Sequence, residues 1–493
     1  MNTQLNRLAV VSVLLLVALV LGTTYWQAWA AGDLADKQDN AIQRVAEFQI
    51  RRGLIYAGPA HYLLARNRKI RIKGQTFYQR RYPHDGLLAQ TVGYSTLLGT
   101  QAGLEQSMND YLTGANASLN TILDKLKGTT VRGNSLELTV DPVAQRVAMS
   151  QLAGRCGAVA ALDPSTGKVL VIASSPTFDQ NKAGSPAYLR HLTSQRAQCG
   201  AAAPLLNRAT DGLFTPGSTF KMVTASAALE SGKFTPESQF YDPGYCIEYG
   251  KQVSNAGNPD QNGPEQFGNV SLVTGFEHSI NSVFCNIGKT IGAGAILNTA
   301  KRFGFYERPP LETPADTRAP SGLYKNGRLY DPSHPEFQVD PGRLAFGQER
   351  LQVTPIQMAM VAAGIANRGV VMKPYVVSRI VAPGGGTVSR TKPDKLHRAV
   401  SPKTAAEVTQ MMVAAVQGGT GTAAQIPGIQ VAGKTGTAET GVQGTNTTWF
   451  VAFAPADHPK VAVAVVLEKQ HGFGGTIAAP VAKQVIEAVL RKR

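Results

Sequence analysis

The four cysteines of this 493-residue chain, Cys156, Cys199, Cys246 and Cys285, stand far apart. No Cys-x-x-Cys pair and no Cys/His cluster offers the ligand spacing of a metal site, so neither a metal nor another cofactor is expected. No segment repeats at a fixed period, which sets aside solenoids and arrays. Acid is in short supply: 33 Asp and Glu face 49 Lys and Arg, a net charge of +16. Charge of either sign is missing altogether from residues 8–30, LAVVSVLLLVALVLGTTYWQAWA.

Twenty-three uncharged residues at helical rise span a bilayer core. Arg7 precedes them, and Tyr25, Trp26 and Trp29 stand at the far end, where an aromatic belt forms. A single-pass anchor is predicted, with the N-terminus inside and the bulk of the chain outside. Ala28-Trp29-Ala30 also reads as a signal-peptidase site; the length of the stretch and its tryptophans favour the anchor. Either way, residues 31–493 lie beyond the cytoplasm. That placement argues against nucleic acid as a partner and directs the positive charge to cell-wall polymers, lipid phosphates and anionic headgroups. Between residues 41 and 84, Arg44, Arg51, Arg52, Arg66, Arg68, Lys69, Arg71, Lys73, Arg80 and Arg81 face a single acid, Glu47. Such a run is either a solvated surface or an anion-binding face. In an oxidising compartment the cysteines either pair, in one or two disulfides, or stay as buried thiols; four allow three full pairings.

Three parts are predicted: residues 1–30, cytoplasmic tip and anchor; 31–150, a small mixed module; and 151–493, a larger α/β or α+β domain. The first module carries short strands and one amphipathic helix over 103–112. After Gly154, GAVAALDPSTGKVLVIASSP reads as strands 157–162 and 168–174 joined by a Pro-Ser-Thr-Gly turn. Apolar helices are expected at 219–230, 272–291 and 355–368, strands at 449–453 and 460–467, and a last helix at 478–490. Strands at both ends of a helical middle predict one sheet closed by its first and last segments.

In DGLFTPGSTFKMVTASAALESG (211–232), Ser218 and Lys221 fall one helical turn apart after Pro216-Gly217. Alone the pair means little: a serine N-cap explains it, and Ser165–Lys168 and Ser389–Lys392 repeat the spacing. It gains weight from two elements further along the chain, Ser279-Ile280-Asn281 and then Lys434-Thr435-Gly436, the one Lys-Thr-Gly present. A serine hydroxyl needs a base to become a nucleophile. Lys221 serves only if neutral, and burial near a second cation, Lys434, would make it so. Ser279 and Asn281 can relay a proton and orient the pair. Lys434 and Thr435 can hold a substrate carboxylate, and Gly436 lets a strand edge approach an acyl chain.

With these motifs the chain resembles the class B penicillin-binding proteins, above all their actinobacterial A subgroup, nearly end to end. The resemblance is carried by PGSTFK, SIN and KTGTAE, by GAVAALDPSTGKVLVIASSPTFDQN, GQERLQVTPIQMAMVAAGIANRG and WFVAFAP, and by the N-terminal RRGLIYA, RRYPHDGLLAQTVGY and GLEQSMNDYLTG. It implies a penicillin-recognising serine transpeptidase fold on a non-catalytic pedestal. It implies catalytic Ser218, Lys221, Ser279 and Asn281, and substrate-binding Lys434, Thr435, Gly436 and Thr437. The N–H groups of Ser218 and Thr437 would form the oxyanion hole. The implied reaction is acyl transfer between peptidoglycan stem peptides on glycan built from lipid-linked precursors, with β-lactams as inhibitors. The pedestal then either docks a membrane glycan polymerase or acts as a rigid spacer.

Rival readings fare worse. A β-lactamase needs a base poised for deacylation, and no motif supplies one. A bifunctional enzyme needs a glycosyltransferase domain ahead of Gly154, for which the roughly 120 residues after the anchor are too few and lack a Glu-Asp-x-x-Phe signature. A non-catalytic scaffold would have lost Ser218, Lys221 or Lys434. A carboxypeptidase differs only in letting water resolve the acyl-enzyme.

Overall fold

A computed structural model describes residues 2–25, 48–58, 61–84, 86–115, 132–255, 265–440 and 442–491. The first helix, Asn2–Thr24, contains an apolar stretch, Asn6–Thr24, long enough to cross a bilayer and not buried against the protein. Trp26, the Ala28-Trp29-Ala30 tripeptide, Arg44 and Glu47 lie outside the described residues.

The larger domain is built on a five-stranded antiparallel sheet. Its strands are β1 (Gly157–Leu162), β2 (Val169–Ser175), β3 (Ala432–Glu439), β4 (Asn446–Ala454) and β5 (Val461–Gln470), in the order β3-β4-β5-β1-β2. The last strand pairs with the first, Val465 opposite Val159, so one sheet is closed by the two ends of the domain, as expected. Antiparallel sheets often leave one face wet, but this one is covered twice. Ala158, Ala160, Trp449, Val451, Ala464 and Val466 pack into one core. Val159, Ala161, Phe450, Ala452, Val463 and Val465 pack into the other. Burial on both faces explains why GAVAAL and VAVAVVL read as unbroken apolar runs.

The first core takes in helices α1 (Lys221–Glu230), α2 (Leu272–Glu277), α3 (Asn281–Arg302), α4 (Pro355–Ala366) and α5 (Pro402–Gln417). The second is closed by Pro142–Leu152 and α6 (Gly474–Leu490). Helix α4 is buried all round from Pro355 to Ile365, as its uniformly apolar sequence demands. Helix α5 has no counterpart among the helices expected from sequence, although its signals are present. Ser401 caps it, accepting from Thr404 N at 3.2 Å; Pro402 opens it; and Ala405, Val408, Met411, Met412, Ala415 and Val416 bury one face.

Two other expected helices are broken. The helix at 103–112 is split at Met108 into Gly103–Ser107 and Asn109–Thr113. The Glu105 carbonyl, which a continuous helix would give to Asn109 N, instead accepts from Arg52 Nη2 at 2.9 Å. The helix at 272–291 is interrupted at residues 278–280 and resumes as α3, which itself kinks at Gly292 (φ 80°).

The N-terminal module pairs Ile55–Ala57, Tyr62–Ile72, Gln75–Arg81 and Ser135–Leu138 in one sheet, completed by Val377–Val381 and Thr387–Arg390 from late in the chain. Its basic run is only partly surface. Arg52 and Arg80 are buried on Glu105, at 3.1 and 2.5 Å, because an unpaired charge could not be buried there. Arg51, Arg66, Arg68, Lys69, Arg71 and Lys73 are exposed and form no ion pair among the described residues. Cys156 and Cys199 are joined in a disulfide, while Cys246 and Cys285 are buried free thiols.

Candidate active site

Ser218 lies in a single 3₁₀ turn, Gly217–Phe220, that leads directly into α1. No side chain caps either helix start, so the serine hydroxyl is not spent as an N-cap. The turn is pressed against β3. Gly217 has φ 52°, and a Cβ there would stand 2.7 Å from the Thr437 carbonyl oxygen. From the other side, a Cβ on Gly436 would meet Pro216 O and Thr219 Cγ2 at 2.8 Å and Trp449 Cβ at 3.0 Å. Gly436 was expected to make room for an acyl chain; what it admits is the serine turn itself, so that strand and nucleophile share one close contact. Trp449 Nε1 ties the approach, donating to Thr215 O at 3.0 Å.

One turn along α1, Lys221 is fully buried. Its Nζ donates to Ser279 O at 2.7 Å and Asn281 Oδ1 at 2.8 Å, with Ser279 Oγ at 3.3 Å. The break between α2 and α3 makes this possible. Ser279 adopts a left-handed conformation, φ 61°, at the end of α2. Ile280 N bonds to Gly275 O at 2.8 Å and Ser279 N to Phe276 O at 3.2 Å, the paired bonds of a Schellman cap, with serine where glycine is usual. A non-glycine residue held there stores backbone strain, and here it turns the carbonyl onto the lysine.

Asn281 opens α3 and is held in turn. Its backbone N and that of Ser282 donate to Asn255 Oδ1 at 3.0 and 3.2 Å, and its Nδ2 donates to Ser254 O at 2.9 Å. Asn255 Nδ2 donates to the Asp242 carboxylate at 2.9 and 3.0 Å, and Ser282 Oγ donates to it at 2.5 Å. Sequence reasoning missed Asn255 and Asp242: the cap comes from 26 residues upstream, and no local spacing marks it.

Lys434 is also fully buried, over the Phe276 ring at 5.6 Å, with Nζ 3.3 Å from Thr435 O. Neither lysine forms an ion pair among the described residues. Burial lowers Lys434 to about 7. Burial, then the nearby Lys434 charge, pushes Lys221 well below the ordinary lysine range. Alternation along β3 places Thr435 and Thr437 on the face opposite Lys434. Thr435 Oγ1 pairs with Thr420 Oγ1 at 2.7 Å, and Thr437 Oγ1 accepts from Gly474 N at 3.2 Å. The structure thus gathers Ser218, Lys221, Ser279, Asn281, Lys434 and Gly436 around one point. It leaves the Thr435 side chain, with its partner Thr420, on the strand's far side.

A serine beside a buried amine, itself held by a Ser-x-Asn element and faced by a Lys-Thr-Gly strand, can carry out acyl transfer. The family model of the penicillin-binding protein transpeptidase domain matches residues 157–487. The chain belongs to the penicillin-binding transpeptidases. The model of the penicillin-binding protein A dimerisation domain matches residues 52–136 of this transpeptidase family member. The peptidoglycan D,D-transpeptidase PbpA of Mycolicibacterium smegmatis is 34% identical over 100% of both chains. PbpA of Mycobacterium tuberculosis is 35% identical over 100% of this chain and 99% of its own. Among solved structures, the ceftriaxone acyl-enzyme of penicillin-binding protein A from M. tuberculosis superposes with a TM-score of 0.79 at 33% identity, covering 90% of this chain and 100% of that one. The D,D-transpeptidase domain from Eggerthella lenta gives 0.76 at 33% identity, covering 90% and 99%.

Proposed function

We infer that this chain is a peptidoglycan D,D-transpeptidase that works through an acyl-Ser218 intermediate. Ser218 Oγ attacks the carbonyl of a D-Ala-D-Ala amide while its proton passes to Lys221. The oxyanion forms against the N–H groups of Ser218 and Thr437. D-Ala leaves with the returned proton, and an amine of a second stem peptide resolves the ester. The observation that carries this reading is the environment of Lys221. A neutral amine has two N–H donors and one lone pair. The contacts at 2.7 and 2.8 Å occupy both donors, leaving the lone pair to take a proton, directly or through Ser279 Oγ at 3.3 Å. Lys434 awaits an anion, which the terminal carboxylate of a stem peptide or of a β-lactam supplies. Beyond Gly436, a groove lined by Thr215, Glu349, Arg350, Ala438 and Glu439 continues along β3 and suits the acyl chain.

The apolar stretch Asn6–Thr24 and the disulfide Cys156–Cys199 support a single-pass protein of the cell membrane with its catalytic domain outside the cytoplasm. The pedestal would set that domain at the glycan layer, beside a membrane glycan polymerase.

The test uses the full chain in detergent with a D-Ala-D-Ala pentapeptide and an amine acceptor. Wild type should release D-Ala and form the cross-linked product; Lys221→Ala should do neither. No D-Ala release by wild type, or release that survives Lys221→Ala, would overturn the reading. Release without cross-linking would make the enzyme a carboxypeptidase.

A further inference from the structure

A second group of buried polar side chains takes no part in acyl transfer. It lies where the hairpin of Tyr245–Glu248 and Lys251–Ser254 meets α3. Cys246 Sγ, Cys285 Sγ and a Glu248 carboxylate oxygen all stand within 4.8 Å of one another, and all three residues are buried. Cys285 follows Asn281 by one helical turn, and the same hairpin holds the Asn281 side chain at Ser254 O. Cys285 Sγ donates to Glu248 Oε1 at 2.8 Å, and Lys289 Nζ donates to the same oxygen at 2.8 Å.

A second carboxyl reaches this group through Glu248, outside the 4.8 Å set of three. Asp340 is 1% exposed. Its Oδ1 accepts from Arg343 N at 2.9 Å, its Oδ2 is buried without a hydrogen-bond partner among the described residues, and its carboxyl lies against Glu248. Gly342 keeps the space around them narrow: a Cβ there would stand 2.4 Å from Glu248 Oε1 and 3.0 Å from Cys285 Sγ.

We propose that Cys246, Cys285, Glu248 and Asp340 bind one zinc ion. Zn–S distances of about 2.3 Å and Zn–O distances of about 2.0–2.2 Å place tetrahedral ligand atoms roughly 3.3–3.8 Å apart. The three atoms within 4.8 Å therefore need to close by about 1–1.5 Å, and Asp340, now against Glu248, must swing in to complete the set. Two thiols with carboxylates suit a borderline-soft divalent cation, and binding would release the two thiol protons.

The competing product of an oxidising compartment is a Cys246–Cys285 disulfide. It would take from Glu248 the thiol donor it now has and leave Asp340 Oδ2 as unpartnered as before. Two buried carboxylates would then lie together with one lysine, which pairs with Glu248, an unfavourable arrangement. A dication satisfies all four donors at once. It would tie α3 to the hairpin one turn beyond Asn281, supporting the contacts of Lys221 without touching a reacting atom.

The test takes the full chain in detergent, reduced with a phosphine and stripped by a chelator, and titrates it with Co²⁺ and then Zn²⁺. One equivalent of Co²⁺ should give thiolate charge-transfer and tetrahedral visible bands, and Zn²⁺ should displace it. Cys246→Ser and Cys285→Ser should each abolish the charge-transfer band. Asp340→Asn and Glu248→Gln should each weaken binding tenfold or more, and Cys156→Ser/Cys199→Ser should leave it intact. A cooperative thermal melt followed by circular dichroism reports whether each variant is folded, so lost metal binding in a folded variant counts for the site. Three results would overturn the proposal: no stoichiometric metal bound by reduced wild type, a band that survives either cysteine variant, or a Cys246–Cys285 disulfide in protein isolated from its membrane without reduction. The readout is metal binding, so it stands or falls apart from the acyl-transfer reading.

Discussion

Replacing Gly436 by alanine should cripple acylation while leaving the protein folded. The added Cβ would stand 2.8 Å from Pro216 O and from Thr219 Cγ2, and ordinary contact begins near 3.4 Å, so β3 and the serine turn must part by about 0.6 Å. Overpacking of this kind costs about 1–3 kcal/mol. In a domain this large that lowers Tm by only a few degrees. The catalytic effect should be greater, because the displaced turn carries both the nucleophile and one oxyanion donor. A misplacement of about 1 Å costs roughly 100-fold in rate, so about 0.6 Å predicts a loss of roughly ten- to a hundredfold in the second-order rate of acylation by a fluorescent penicillin. Gly433→Ala is the control. Its Cβ would meet Phe450 Cζ at 2.6 Å, against the second core and away from the serine turn, so it should lose stability without a comparable loss of rate. A folded Gly436→Ala protein acylated within twofold of wild type, or equal damage from Gly433→Ala, would refute the argument.

The lysines predict a pH profile. Lys434 in the free enzyme is lowered to about 7, so its ammonium is lost as pH rises through that value, and acylation by a carboxylate-bearing penicillin should fall on the alkaline side; Lys434→Arg should remove that limb, and a profile flat to pH 9 would contradict the assignment. Between about 7 and the ordinary lysine value of 10.5 the native state binds fewer protons than the unfolded chain, so the lysine should make stability to urea rise with pH across that window. Glu105→Gln should leave Arg52 and Arg80 buried without their carboxylate, costing about 3–5 kcal/mol; limited proteolysis should cut the N-terminal module while penicillin still labels the remainder. A chain beginning at Asp33 should bind anionic vesicles at low salt, with about 1 kcal/mol for each cation that reaches the surface; charge reversal at Arg66, Arg68 and Arg71 should weaken this binding without changing acylation, and indifference to salt would mark the run as ordinary surface.

Local signals make the sheet and the three motifs legible. Strands covered on both faces read as apolar runs, and Ser218, Lys221, Asn281 and Lys434 stand within recognisable short sequences. Long-range features are hidden. A reading by helical period carries 272–291 straight through, because Ser279 looks like any helical serine until a left-handed φ turns its carbonyl toward Lys221. Asn255 caps α3 from the residue that follows a distant strand. Arg52 and Arg80 count as surface charge until Glu105 is found between them, and the same Arg52 breaks the helix at Met108. Helix α5 is a different case: its cap, its proline and its apolar spacing are all local, so nothing physical hides it in the sequence.

The most direct measurement is peptide mapping of the protein after incubation with a penicillin. The account predicts one covalent adduct, on the peptide that contains Ser218, formed through its hydroxyl and absent from a folded Ser218→Ala variant. An adduct on any other residue, or labelling that survives Ser218→Ala, would contradict it.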